Sequence, residues 1–139
     1  MKTAEDIESY LLKIGVPNEQ VKPGIWVLHV SGADNFVVSM AGPVVVFRIK
    51  LMDLPAKGRE ALFQALLSLN TSEMVHGAFG LEGESVVIVH ALELENLDLN
   101  EFQAVIDDMT MAISKQYPVL SQWTPGHGGP PAAGAAART

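Results

Sequence analysis

The sequence predicts an α+β domain with a twisted antiparallel five-stranded sheet and three helices, in the order α-β-β-β-α-β-β-α. Three observations predict it. Apolar residues recur at helical spacing near both ends and in the middle of the chain. Between them lie runs rich in Val, Ile and Phe. The connectors within each group of runs are too short for parallel crossovers, so neighbouring strands must run antiparallel.

The first helix follows Thr3, which caps it with Asp6 three residues on, and Ile7, Tyr10, Leu11 and Ile14 fall on one face. Gly15 and Pro17 end it. After a loop through Pro23 and Gly24, Ile25 to Val30, Phe36 to Met40 and Val44 to Leu51 read as strands, separated by Ser31–Asn35 and Ala41-Gly42-Pro43. The second helix is expected from near Pro55, with Asp53 capping from outside, to about Leu69, where Asn70 stops it. Val75 to Leu81 and Ser85 to Leu92 then form a hairpin about Glu82-Gly83-Glu84. The last helix starts after Asp98, which forms a capping box with Glu101. It places Phe102, Val105, Ile106, Met109 and Ile113 on one face and closes at Gln116-Tyr117-Pro118.

Residues 1–117 are thus expected to form one domain, and residues 118–139 a flexible Gly/Pro/Ala-rich tail without apolar period. At 48% hydrophobic and 18% charged residues, the chain of 139 residues carries enough apolar material for one core. A formal net charge of -7 with no clustered Lys or Arg argues against nucleic acid and against anionic membranes as partners. The chain holds 0 cysteines, which excludes disulfides, thiolate metal sites and a Cys nucleophile. With no apolar stretch long enough for a leader or a span, a cytoplasmic address is expected.

One stretch carries a family resemblance. Phe79-Gly80-Leu81-Glu82-Gly83-Glu84-Ser85-Val86-Val87-Ile88 is a Gly-turn hairpin, and Leu92-Glu93-Leu94-Glu95-Asn96-Leu97-Asp98 is a leucine-rich segment ending in Leu-Asp before the closing helix. This pattern resembles the type III secretion chaperone-like fold, which includes the Tir chaperone family and the YbjN family of candidate bacterial sensory regulators. The resemblance spans residues 1–117 and consists of turn and core residues. It implies a homodimer that holds an extended segment of a secreted protein or, on the YbjN branch, a regulatory domain that binds a small ligand or a folded partner. The Gly/Pro/Ala tail departs from a dedicated chaperone.

The residues themselves point to protein contact. In the middle helix Lys57, Glu60, Gln64 and Ser68 form one narrow polar stripe. Leu62, Ala65, Leu66 and Leu69 suit the sheet, while Phe63 and Leu67 project to the side. Either a second copy meets Phe63 and Leu67 in a homodimer, or another helix or a loop of the same chain covers them. Val86, Ile88, His90 and Leu92 alternate with Val87, Val89 and Ala91, so this strand is apolar on both faces and belongs inside the sheet. Arg48 and Lys50 make one face of an earlier strand half wet. Such a face, with a strand edge beside it, suits an extended partner polypeptide; a helix or a second protomer covering it is the plain alternative.

No catalytic residue, metal site or cofactor is expected. His29, His76 and Glu93 form a metal or acid–base site only if the strands bring them together; otherwise the histidines are packing residues. His127 lies in the tail. Gly77, Gly80 and Gly83 lack the helix start and the Lys-Ser/Thr of a phosphate loop and read as strand and turn glycines. Trp26 is expected in core or interface, and Trp123 either docks a partner or packs back on its own domain.

Overall fold

The computed structural model describes residues 1–123. Its elements are α1 (Ala4–Ile14), β1 (Asn18–Lys22), β2 (Ile25–Val30), β3 (Ala33–Ala41), β4 (Val44–Asp53), α2 (Arg59–Ser72), β5 (Ala78–Glu82), β6 (Ser85–Glu93) and α3 (Leu99–Leu120), closed by a 3-10 turn at Ser121–Trp123. Residues 124–139, which hold most of the predicted tail and His127, lie outside the described residues.

The sheet has six strands, one more than the sequence predicts, in the order β1-β2-β3-β4-β6-β5 with antiparallel neighbours throughout. The additional strand is β1, Asn-Glu-Gln-Val-Lys. All five of its residues are exposed, so it has no apolar alternation to betray it. Its pairing with β2 rests on backbone hydrogen bonds, a signal that side-chain pattern does not carry.

The core lies on one face of the sheet. Trp26 and Leu28 of β2, Phe36 and Val38 of β3, Val45, Phe47 and Ile49 of β4 and Val86 and Ile88 of β6 alternate inward and are buried. Above them lie Ile7, Tyr10 and Leu11 of α1 and Phe102, Val105, Ile106 and Met109 of α3, the faces that the helical spacing predicts. The ring of Phe102 sits 5.5 Å from Tyr10 and 5.3 Å from Phe47, joining both helices to the sheet, and the Tyr10 hydroxyl donates to Leu97 O at 2.8 Å. Trp26 Nε1 is buried and finds no acceptor among the described residues.

Helix ends follow cap chemistry where caps exist. Thr3 with Asp6 and Asp98 with Glu101 form the two expected capping boxes, and Gly15 closes α1 in the left-handed conformation at φ 73°. Three helix boundaries differ from expectation, one being the end of α2, which runs through Asn70 to Ser72 instead of stopping there. Asp53 remains in β4, in an ion pair with Lys50 at 2.9 Å, and α2 begins at Arg59 behind Gly58 without a side-chain cap. In α3, Pro118 falls inside the last turn and the helix continues to Leu120, which is buried. Burying Leu120, worth roughly 1.5–3 kcal/mol, offsets the backbone bond that Pro118 cannot donate.

The β5 edge is closed from within the chain. Asn70 of α2 donates to Phe79 O at 3.0 Å and accepts from Phe79 N–H at 2.7 Å, so its amide takes the place of a neighbouring strand. Asn70→Ala is expected to leave both Phe79 groups without a partner, lowering stability by about 1–3 kcal/mol in urea unfolding. It should also make residues of β5 exchange amide hydrogens faster.

Candidate functional site

The structure separates the three residues weighed as a metal or acid–base site. His29 is an exposed residue of β2, where its N–H donates to Pro17 O at 2.8 Å and its ring lies 4.0 Å from Glu19 of β1. His76 precedes β5, beyond three intervening strands and thus roughly 19 Å away at about 4.8 Å per strand. Glu93, at the end of β6, is in register with Val44 on the opposite face from the core. Among the described residues, no group of His, Asp and Glu is placed to hold a metal ion.

A different cluster forms instead. The Nδ1–H of His76 donates to the Asp108 carboxylate of α3, and the His76 ring meets His90 edge-on with centroids 5.4 Å apart. His90 Nδ1 accepts from Gly77 N–H at 2.9 Å. Burial and the neighbouring His76 hold the proton affinity of His90 below the usual imidazole range. Asp108, which sequence reading assigns to the solvated side of the last helix, is drawn in because His76 sits on a connector that folds back against α3. No sequence spacing reveals that contact.

Besides Val75 and Met111 next to the His76 connector, three apolar surfaces remain wet among the described residues. On α2, Leu67 is 67% exposed, and with half-buried Phe63 it lines a shallow depression together with Glu60, Gln64, Ser68 and Thr71. Phe63 also packs against the core, so the two side chains are not equivalent. The second surface is the face of the sheet opposite the core, where Val27 of β2 is in register with Val37 of β3 and Ile25 with Ser39. Val37 in turn faces Arg48 and Ser39 faces Val46, and all of these residues are partly exposed. Arg48 forms an ion pair with Glu82 there. The third is the end of α1 and the start of β1, a hollow lined by Leu12, Val16 and Asn18 among others, with Leu12 80% exposed.

Trp123 is half-buried and packs back on its own domain, its indole lying over Gly58, where an added Cβ would come within 3.1 Å of Nε1. The φ of 76° at Gly58 independently favours glycine. No described helix is long and apolar enough to cross a membrane.

Comparison with known proteins agrees with this architecture. The chain is similar to the ExoU–SpcU heterodimeric complex of the Pseudomonas aeruginosa type III secretion system, with a TM-score of 0.67 at 15% identity over 81% of this chain and 96% of the other. It is similar to E. coli YbjN, described as a candidate transcription regulator, with a TM-score of 0.63 at 12% identity over 84% of this chain and 92% of that one. The HopA1–SchA chaperone–effector complex gives a TM-score of 0.58 at 10% identity over 77% and 86% of the two chains. No curated protein matches the sequence significantly. The CesT_Tir_1 family model matches residues 1–125, and the chain therefore belongs to the CesT_Tir_1 family.

Proposed function

We propose that this chain is a non-enzymatic protein-binding module, a chaperone-like or adaptor homodimer that holds a partner polypeptide. The observation that carries this reading is the sheet face of Ile25, Val27, Val37 and Val46, which stays partly wet beside the fully exposed strand β1. A partner in extended conformation finds backbone donors and acceptors at such an edge, and its alternate side chains find apolar contact on the face. The two solved chaperone–effector neighbours support the reading, since their complexes pair a protein of this fold with another polypeptide. Phe63 and Leu67 supply the surface through which two protomers join.

The likeness to YbjN favours a second reading, a regulatory domain that binds a small ligand or a folded protein. A small-ligand site of ordinary size encloses about 300–1,000 Å³. The cleft between the β2–β3 turn, β4 and the end of α3, lined by Asp34, Lys50, Ile113 and Tyr117 among others, offers about 200 Å³, and the roomier hollows at the end of α1 and over Phe63 and Leu67, about 500 and 550 Å³, are shallow and open to solvent where a small ligand needs enclosure. The first reading is therefore preferred.

Capture of the tagged full chain from its native cell, read by mass spectrometry, tests it. The expected result is one or a few polypeptides bound stoichiometrically through a stretch that proteases cut readily once it is released. The variant Val27→Lys with Val37→Glu sets opposite charges against each other and against Glu19 and Arg48 on the flanking strands while making the face polar. It is expected to lower capture roughly tenfold or more, the effect of losing about 1.4 kcal/mol of contact. Undiminished capture by this variant overturns the reading.

A further inference from the structure

The connector from α2 to β5, Glu73 to Gly77, is pressed against two other elements. Gly77 has φ 91°, and a Cβ there would lie 3.0 Å from Ile88 Cγ2 of β6 and 3.3 Å from Met109 Cγ of α3. Its N–H donates to His90 Nδ1 at 2.9 Å, so neutral His90 carries its own proton on Nε2. The preceding residue, His76, stands edge-on to His90 and is tied to Asp108. Backbone, two imidazoles and one carboxylate thus meet where the chain enters the last edge strand.

We propose that His90, His76 and Asp108 form an acid-released latch on this connector. A proton taken from solvent onto His90 Nδ1 converts the acceptor of the Gly77 bond into a donor that faces another donor. The Gly77 N–H loses its partner, and the charged His90 ring, 5.4 Å from His76 between centroids, has no carboxylate of its own, since Asp108 is tied to His76. The connector opens. Asn70 closes the sheet edge at Phe79, two residues further on, so opening at Gly77 loosens the hold on that edge as well.

The charged surroundings are few. Beside His76 and Asp108, the hollow next to the latch is lined by Glu73 of the α2 cap and Lys115 of α3, which pair with each other at 3.6 Å. From β4 the residue in register with His90 is Phe47, and the neighbouring residues pressed on Gly77 are Ile88 and Met109. Burial first and His76 second lower the proton affinity of His90 below the ordinary value of 6.5. The closed state therefore resists protonation. Above pH 6.5 neither the closed nor the open form carries the extra proton, and the latch holds in full. As pH falls below that value the open, solvated form takes up the proton first, and the hold is lost progressively down to the depressed titration point of the closed form.

The test uses the isotope-labelled full chain, titrated from about pH 8 to about pH 5. Imidazole nitrogen signals follow His90, and amide exchange, corrected for its intrinsic pH dependence, follows residues 77–82. The expected result is an Nε2–H tautomer for neutral His90 and a midpoint below 6.5. Protection at Gly77 should fall roughly tenfold or more across that midpoint, the scale set by one lost hydrogen bond. His90→Asn, which offers an oxygen acceptor near the Nδ1 position and takes up no proton, is expected to remove the pH step while keeping the protection. A His90 midpoint at or above 6.5, or protection that stays constant through its titration, overturns the latch. Should His90→Asn not fold, the wild-type titration decides alone.

Discussion

Leu67→Asp is expected to convert the proposed homodimer to monomer while leaving the fold intact. Leu67 is 67% exposed in the single chain, so the substitution removes little from the core, and its folding cost should stay within about 0.5 kcal/mol. Across a two-fold axis the same residue counts twice. At roughly 1.5–3 kcal/mol for each leucine fully withdrawn from water, the pair contributes about 3–6 kcal/mol, which corresponds to about two to four decades in the dimer dissociation constant. Two added carboxylates facing each other push in the same direction. Light scattering over a dilution series, with circular dichroism as the check on folding, measures both parts. A wild-type protein that is monomeric throughout, or a variant that dimerises unchanged, sinks the assembly. Phe63 is less suited to this test because it also packs on the core, so its loss mixes folding with association.

Phe102→Ala is expected to cost about 3–5 kcal/mol of stability, a large part of what a domain of this size holds in reserve. Phe102 is fully buried and touches Tyr10 of α1 and Phe47 of β4, so truncation opens a void where three elements meet. Urea unfolding should show a lower midpoint with an unchanged slope. Phe102→Leu refills most of the space and should recover more than half of the loss. A loss below about 1 kcal/mol for the alanine variant would mean that the two helices do not depend on this contact.

The helices were legible because caps and apolar spacing agree. Thr3 with Asp6 and Asp98 with Glu101 mark their starts, and Ile7, Leu11, Phe102 and Met109 face the core as their spacing requires. The hairpin about Gly83 is legible for a similar reason, since a turn residue at φ 59° separates two apolar runs. β1 was not, because an edge strand with both faces wet buries nothing and leaves no pattern. The start of α2 was misplaced because Pro55 and Asp53 imitate an N-terminus, whereas the actual turn depends on Gly58, with Trp123 packed over it from far along the chain. Of the surfaces, exposure of Leu67 follows from helical spacing alone. The meeting of His76, His90 and Asp108 does not, since it depends on how a connector folds across two elements.

The amide of Asn70 has a consequence for self-association. With Phe79 already satisfied, the β5 flank of the ribbon is blocked at that position, while β1 offers five exposed residues on the other flank. A molecule with two open flanks can add copies head to tail without limit, as fibres do. Here the Asn70 amide interrupts the β5 flank, so a ribbon extended on its β1 side is hindered from adding a further copy on the other. The amide thus works against open-ended growth through the ribbon, which helps a protein with much greasy surface remain dispersed.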